Sequence, residues 1–133
     1  MQIRMNTLTP ELFLDMYQSV GWEPPGLEQV ATALSNTLVA FTCYDQDRPV
    51  GMVRLIGDGG MSFYIKDFAV IPAYQRRGAG KLLMAAVEQY VKECKPFRGT
   101  ILLVGWSGNV HDDPIKTIEV QYYDWKDCKC SCG

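Results

Sequence analysis

Apolar residues in the N-terminal part of the chain recur at helical spacing. In "NTLTPELFLDMYQSVGW" this spacing predicts a helix for which Thr9 is a good N-cap and Pro10 suits the first turn. After the turn "EPPG", the positions of Leu27, Val30 and Leu34 predict a second, shorter helix.

A pattern typical of β-strands follows these two helices. The runs "TLVAFTCY", "PVGMVRLIGD" and "MSFYIKDFAVI" are rich in β-branched and aromatic residues, and short polar turns separate them. Three consecutive strands joined in this way predict an antiparallel meander. A further short strand is predicted at residues 3–5, before the first helix.

The clearest helix is predicted from Gly80 to Glu93, where apolar and charged positions alternate with a helical period. Its predicted buried side consists of Leu82, Leu83, Ala86, Val87, Tyr90 and Val91. The run "TILLVGW" after it predicts a buried strand, which a crossover helix allows to lie parallel to the preceding strand. The order β, α, α, β, β, β, α, β indicates a single α+β domain.

Composition and charge exclude some classes of function. A chain of 133 residues predicts one domain, and a net charge of −2 argues against nucleic-acid or membrane partners, which require a positive field. The N-terminus "MQIRMNTLTP" has no apolar export segment and the five cysteines are an odd number, so a reduced, cytoplasmic protein is expected.

The cysteines do not predict a metal site. "CKCSCG" lacks the two-residue spacing of a zinc ligand pair, and the single histidine, His111, is not near it, so a frayed tail is expected there. Cys43 and Cys94 lie in apolar surroundings, which is typical of core thiols rather than nucleophiles.

The stretch "FAVIPAYQRRGAGKLLMAAV" places a glycine-rich turn between a strand and a helix. Such a turn exposes N–H groups at the positive end of a helix dipole and is a candidate anion site, with a plain turn as the alternative. A Walker A loop would need glycine at Gln75 and a hydroxyl at Leu82. A Rossmann fingerprint would need glycine at Leu83, so the spacing disfavours both nucleotide loops.

"QRRGAG" at positions 75–80 resembles [QR]-x-x-G-x-[GA], the acetyl-CoA motif of the GCN5-related N-acetyltransferases (GNAT), and V-x-P-x-[YF]-Q precedes it. The resemblance extends from about Val50 to Leu103. It implies a GNAT-like α+β fold in three layers, with a mixed, mostly antiparallel twisted sheet and helices on both faces. It also implies acetyl-CoA as cosubstrate, no metal, and direct acetyl transfer to a primary amine of a small molecule or a protein. Many relatives form homodimers, so the resemblance also makes a homodimer one of the expected assemblies.

The resemblance also implies which residues bind the coenzyme. The pyrophosphate cradle would be formed by Gln75, Arg76, Arg77, Gly78, Ala79, Gly80 and Lys81. The preceding strand edge, Phe68, Ala69 and Val70, would pair with pantetheine amides by β-addition. The three basic side chains of the cradle either add charge or face solvent.

The chemistry of amine acetylation indicates further candidates. An amine with a reference pKa of about 10 must lose a proton, and "YIKDFAV" resembles the I-x-D-[IV]-x-V strand of glucosamine-phosphate acetyltransferases. Asp67 would therefore be the base, orient a water or accept structural hydrogen bonds. A backbone N–H of Val70 or Phe68 would stabilise the oxyanion. Arg54 would bind an acidic acceptor group or pair with an acid across the sheet, and Trp22 would line the acceptor cleft or pack on the first helix.

The end of the chain departs from the family pattern. Relatives carry an F-Y-x-x-x-G-F type signature with a proton-donating tyrosine, whereas here Tyr122 and Tyr123 lack the Gly-Phe and are only candidates. "IKTIEVQYYDW" is compatible with a strand or a helix. Residues 109–133 are predicted to be an atypical tail, either a divergent last strand or the product of a shifted reading frame. The alternative function is therefore a coenzyme A-binding module with impaired catalysis.

Overall fold

The computed structural model of the chain describes residues 1–93, 98–106 and 118–124, the last two ranges as backbone strands. Its helices are α1 (Pro10–Ser19), α2 (Leu27–Ser35) and α3 (Ala79–Glu93), with a single 3-10 turn at Pro72–Tyr74. Its strands are β1 (Gln2–Met5), β2 (Val39–Asp45), β3 (Arg48–Gly57), β4 (Ser62–Val70), β5 (Arg98–Trp106) and β6 (Ile118–Asp124). Cys94, His111 and the "CKCSCG" tail lie outside the described residues.

The described strands form one sheet in the order β1-β2-β3-β4-β5-β6. Neighbouring strands are antiparallel except β4 and β5, which are parallel and are connected through α3. The predicted meander and the crossover are therefore confirmed, and "IKTIEVQYYDW" contains a strand rather than a helix.

Helices cover both faces of the sheet. On one face, α3 buries Leu83, Val87 and Val91 against Phe41, Val53 and other strand residues. On the other face, α1 and α2 bury Phe13, Met16 and Val30 against Met52 and Ala69. This arrangement confirms the predicted α+β fold with three layers and a mostly antiparallel sheet. No helix in the described ranges combines the length and apolarity that crossing a membrane requires.

Local signals were mostly reliable, with three corrections. Thr9 caps α1 by accepting a hydrogen bond from the Leu12 N–H at 3.2 Å, as predicted. The most deeply buried residues of α1 are Met16 and Phe13, however, whereas Leu12 is only half-buried. Leu27 and Leu82 were wrongly assigned to buried faces: they are 48% and 38% exposed, since each lies in the first turn of its helix, at the edge of the packed surface.

Cys43 is fully buried in the α3-side core, which confirms the core-thiol prediction. Burial raises the pKa of its thiol, so the reactive thiolate is disfavoured.

Candidate active site

A β-bulge interrupts the pairing of β4 with β3. Met52 pairs with Ala69 and Arg54 pairs with Lys66, so Asp67 and Phe68 together lie opposite the single residue between Met52 and Arg54. Asp67 adopts φ +54°, a conformation uncommon for a residue other than glycine. A bulge re-aims side chains because it breaks the strict alternation of a strand.

The bulge changes which side chains share a face. Strict alternation would place Lys66 and Asp67 on opposite faces of the sheet. Instead both line one cavity, and Phe68 enters the core beneath α3. The site therefore receives two consecutive charged residues from one strand.

Arg54 and Asp67 form a buried ion pair. The Arg54 Nε donates to Asp67 Oδ2 at 2.7 Å, and each residue is only 5% exposed. Arg54 Nη1 also donates to Thr37 Oγ1 at 3.1 Å and to the Ala33 carbonyl at 3.4 Å. The cross-strand pairing alternative for Arg54 is confirmed, and Asp67 keeps its second oxygen, Oδ1, for another partner.

This ion pair lies on the floor of a cavity of about 430 Å³ between the sheet and the helices α1 and α2. The charged floor comes from β3 and β4, and the wall is mostly apolar. The lining consists of Phe13, Tyr17, Glu23, Pro24, Pro25, Gln29, Val30, Ala33, Leu34, Arg54, Lys66 and Asp67. Its volume lies within the range of small-molecule sites.

Of the two alternatives for Trp22, the structure shows packing on the first helix, and Tyr17, which had no assigned role, takes a place in the cavity lining. Trp22 packs edge-on against Tyr17 with ring centroids 4.9 Å apart and is not among the lining residues. Tyr17, which stacks on Phe13 at 5.3 Å, lines the cavity instead. Burial raises the pKa of the Tyr17 phenol, Asp67 raises it further and Arg54 opposes the shift. The phenol is therefore a proton-bearing donor at neutral pH.

At the end of β4, Phe68 pairs with Trp106, the last described residue of β5. Among the described residues, Ala69 and Val70 have no pairing partner on the β5 side. The Ile71 N–H donates to the Val50 carbonyl at 2.9 Å, toward β3. Because successive peptide groups in a strand point in opposite directions, the Val70 N–H points away from β3. Within the described part of the chain, this side of β4 therefore presents an outward N–H at Val70.

Gln75 ties the turn after β4 back to this edge. Its Nε2 donates to the Val70 carbonyl at 3.0 Å, a part-buried contact. The amide side chain therefore faces the strand end, and the backbone of the turn is held beside the outward Val70 N–H. Gln75 was predicted to form part of the pyrophosphate cradle. In the structure its side chain connects the turn to the end of β4.

The glycine-rich turn leads directly into α3. Gly78 has φ +96°, and a Cβ added there would meet only Met1 Cε within 4 Å, at 3.9 Å. The Leu82 N–H donates to the Gly78 carbonyl at 3.2 Å. In a helix that begins at Ala79, the N–H groups of the first turn before Leu82 have no carbonyl one turn back. The turn thus presents an open backbone surface at the positive end of the helix dipole.

One arginine of the turn is held by an aromatic ring. The Arg77 guanidinium lies 4.4 Å from the Tyr74 ring centroid, and the Tyr74 hydroxyl donates to Asp45 Oδ2 at 2.6 Å. Arg48 approaches the same ring at 5.4 Å. Cationic charge is therefore present beside the turn; the contribution of Arg76 and Lys81 stays a prediction.

The two C-terminal tyrosines are not brought to the end of β4. Tyr123 pairs with Gly99 near the start of β5, whereas Phe68 pairs with Trp106 at its end. At about 3.3 Å per residue these two levels are roughly 20 Å apart along the strand. Tyr122 is the neighbour of Tyr123 in β6, so the assignment of either residue as a proton donor stays a prediction.

Sequence reasoning missed Phe13, Tyr17 and Lys66 as lining residues. The Phe13 and Tyr17 spacing of four was a usable signal, because such pairs lie on one helix face. Lys66 also had a signal, since it alternates with Phe63 and Ile65, which enter the core beneath α3, so that Lys66 lies on the opposite face. Among the described residues, no group of three or more His, Cys, Asp or Glu side chains is arranged to hold a metal ion.

Comparison with known proteins agrees with this geometry. Residues 6–107 match the model of the Acetyltransferase (GNAT) family. An uncharacterised N-acetyltransferase, ycf52-like, from Prochlorococcus marinus is 35% identical over 82 residues, which are 59% of this chain and 46% of that protein. The chain therefore spans less than half the length of this relative.

Solved structures share the fold. A protein from methicillin-resistant Staphylococcus aureus is 32% identical with a TM-score of 0.71, and the match covers 79% of each chain. A GNAT family acetyltransferase from Streptococcus pneumoniae is 35% identical with a TM-score of 0.65, covering 79% of this chain and 75% of the other.

Proposed function

The chain belongs to the acetyltransferase (GNAT) family, and we propose that it transfers an acetyl group from acetyl-CoA directly to a primary amine. One observation carries the proposal: β4 brings Asp67 into the cavity and, after Val70, leads directly into the glycine turn and the first turn of α3. A coenzyme site and an acceptor site thus meet on one strand.

The residues of the turn fit a coenzyme A pyrophosphate. The open space at Gly78 lets a phosphate approach the backbone, and the N–H groups of Ala79, Gly80 and Lys81 lie in the first helical turn. The outward Val70 N–H suits a pantetheine amide paired as an added strand. Acetyl-CoA bound here would supply the acetyl thioester.

Asp67 is the residue proposed to manage the amine proton. Its Oδ2 is occupied by Arg54, so Oδ1 is the atom that would accept a hydrogen bond or a proton from an amine in the cavity. The Arg54 contact holds the carboxylate in one orientation, as a positioned base requires. Which backbone N–H would stabilise the oxygen that gains negative charge stays a prediction, because Phe68 pairs with Trp106 and the Val70 N–H is the one proposed for the pantetheine amide.

A coenzyme A-binding module without acetyl transfer is the second candidate. The observation that favours it is the pairing of Tyr123 with the start of β5, far from the end of β4. A chain that binds the coenzyme and lacks a proton donor for the leaving thiolate would behave in this way. A cytoplasmic location and a homodimer stay predictions.

Two measurements test the proposal. Isothermal titration with acetyl-CoA should show binding at micromolar concentrations, and thiol release should be detected across a panel of primary amines. Asp67→Asn, which keeps the side-chain shape, should reduce thiol release while coenzyme binding persists. Absence of binding would remove both candidates, whereas binding without thiol release for any amine would leave only the module.

A further inference from the structure

We infer that the acceptor amine carries an anionic group, a carboxylate or a phosphate, and that Lys66 binds this group on the cavity floor. The inference rests on the proposed function, because it concerns the acceptor half of the same site. It depends on the charge balance of the floor, the chemistry of the wall and the spacing that the bulge creates.

The floor places two cations side by side. Arg54 and Lys66 are direct cross-strand partners and both line the cavity. Like charges directly opposite each other in a sheet are destabilising unless an anion lies between or beside them. The arrangement therefore needs negative charge at this point.

One carboxylate on the floor cannot neutralise both cations. Asp67 is bonded to Arg54 at 2.7 Å, and this pair is buried. Glu23, the other acidic lining residue, is exposed at the rim. Within residues 1–93, no carboxylate lies within ion-pair distance of the Lys66 ammonium. Counting only the side chains of residues 1–93, the floor therefore keeps one positive charge available to a ligand.

The wall indicates the rest of the acceptor. Opposite the floor, α1 and α2 and their connection supply aromatic, aliphatic and proline side chains, including Phe13, Pro24 and Leu34. An acceptor with an apolar body, one amine and one anion would complement both surfaces. A polycationic amine would instead meet the unneutralised charge of Lys66 and be disfavoured.

The bulge sets the spacing between the two polar groups of the acceptor. Lys66 and Asp67 are consecutive residues that line the same cavity, so an amine at Asp67 and an anion at Lys66 belong to one short molecule. Aliphatic or aromatic amino acids and short aminoalkyl phosphates have this arrangement. The cavity volume of about 430 Å³ is of the right order for them.

Matched ligand pairs that differ in the anion test this inference. L-phenylalanine and L-phenylalaninamide form the carboxylate pair, and O-phosphoethanolamine and ethanolamine form the phosphate pair. Each is titrated into the coenzyme A complex of wild type, Lys66→Met and Lys66→Arg. Lys92→Met is the matched control, because Lys92 is exposed near the end of α3.

In wild type, the anionic member of at least one pair should bind roughly 10- to 100-fold more tightly than its neutral partner, as expected for a charge-assisted contact. Lys66→Met should abolish most of this ratio, whereas Lys66→Arg and Lys92→Met should retain it. The pair that shows the preference identifies the carboxylate or the phosphate.

Equal binding within both pairs, or a preference that survives in Lys66→Met, would overturn the inference. Thiol release with neutral or polycationic amines alone would overturn it too while the proposed acetyl transfer stands. If acetyl-CoA does not bind, the proposed function fails, and the same titrations on the protein alone still measure the preference that Lys66 is proposed to produce.

Discussion

The two halves of the candidate site are assembled in different ways. The coenzyme half comes from one continuous stretch, from Phe68 to Lys81, in which a strand end, a turn and a helix start follow one another. The acceptor half comes from α1, α2, β3 and β4, which meet only in the folded chain. A local motif can therefore define the first half, whereas long-range packing defines the second.

The halves meet at the bulge in β4. Asp67 belongs to the acceptor cavity, and Phe68, the next residue, belongs to the core beneath α3. Val70, two residues further, presents its N–H to the coenzyme edge. Within the fold, this short segment positions the proposed acetyl donor against the proposed acceptor.

The largest expected effect, on stability, comes from a substitution that breaks the buried ion pair of the acceptor half. Arg54→Met leaves the buried Asp67 carboxylate without its partner, which should lower the free energy of unfolding by about 3–5 kcal/mol. Chemical denaturation measures this change. The double variant Arg54→Met with Asp67→Asn should recover part of the loss, because the uncompensated charge is gone.

The control for this prediction is Arg48→Met, which removes an exposed arginine from the same strand. We expect its effect on stability to stay within about 0.5 kcal/mol. A loss as large as that of Arg54→Met would contradict the assignment of the buried pair as the source of the effect. Coenzyme affinity of the folded Arg54→Met protein should change little, since the turn contributes no residue to this pair.

A smaller effect is expected from the coenzyme half. Gly78→Asp places a side chain at φ +96° and a negative charge where a pyrophosphate is proposed to bind. Coenzyme affinity should fall by at least about 30-fold, as measured by isothermal titration. The open space around Gly78 means that no neighbour is displaced, but φ +96° strains any side chain, so a loss of folding free energy of about 1–3 kcal/mol is expected beside the loss of binding.

Gly26→Asp is the matched control for the turn. Gly26 is also surrounded by open space, but its φ is −66° and it is the N-cap of α2, where aspartate is favourable. This variant should bind coenzyme as wild type does. An unchanged coenzyme affinity in Gly78→Asp would show that the cradle is wrongly assigned.

The difference between local and long-range construction also explains which parts of the structure could be predicted from the sequence. The order of elements followed from periodicity, turns and caps, all of which act over a few residues. Pairing of Arg54 with an acid across the sheet was among the alternatives, and the structure identifies that acid as Asp67. The cavity itself was not predictable, since it depends on how α1 and α2 pack above β3 and β4.

The bulge was the feature that sequence patterning could least reveal. Alternation in "YIKDFAV" assigns Lys66 and Asp67 to opposite faces, and no glycine marks the position where the strand departs from it. The positive φ falls on Asp67 itself. For Trp22, by contrast, packing on the first helix was one of the two stated alternatives, and the ring does pack on Tyr17.

The smallest expected effect concerns the contact that joins the turn to the strand. Gln75→Leu removes the Nε2 donor to the Val70 carbonyl, a neutral hydrogen bond of 3.0 Å. The loss should lower coenzyme affinity by about 5-fold, corresponding to about 1 kcal/mol, because the turn is held less firmly beside the β4 edge. Gln75→Glu should weaken binding further, since it brings an acceptor oxygen toward the carbonyl.

Gln89→Leu is the control, because it also removes a hydrogen bond donated by a glutamine side chain but does so away from the turn. Gln89 donates to Glu93 at the same distance of 3.0 Å, but on the exposed surface of α3. Its removal should leave coenzyme affinity unchanged. If Gln75→Leu also bound coenzyme as wild type does, the Gln75 tether would not be needed for binding. The turn would then be positioned by its backbone and by the Tyr74 contacts alone, so only local contacts would build the coenzyme half.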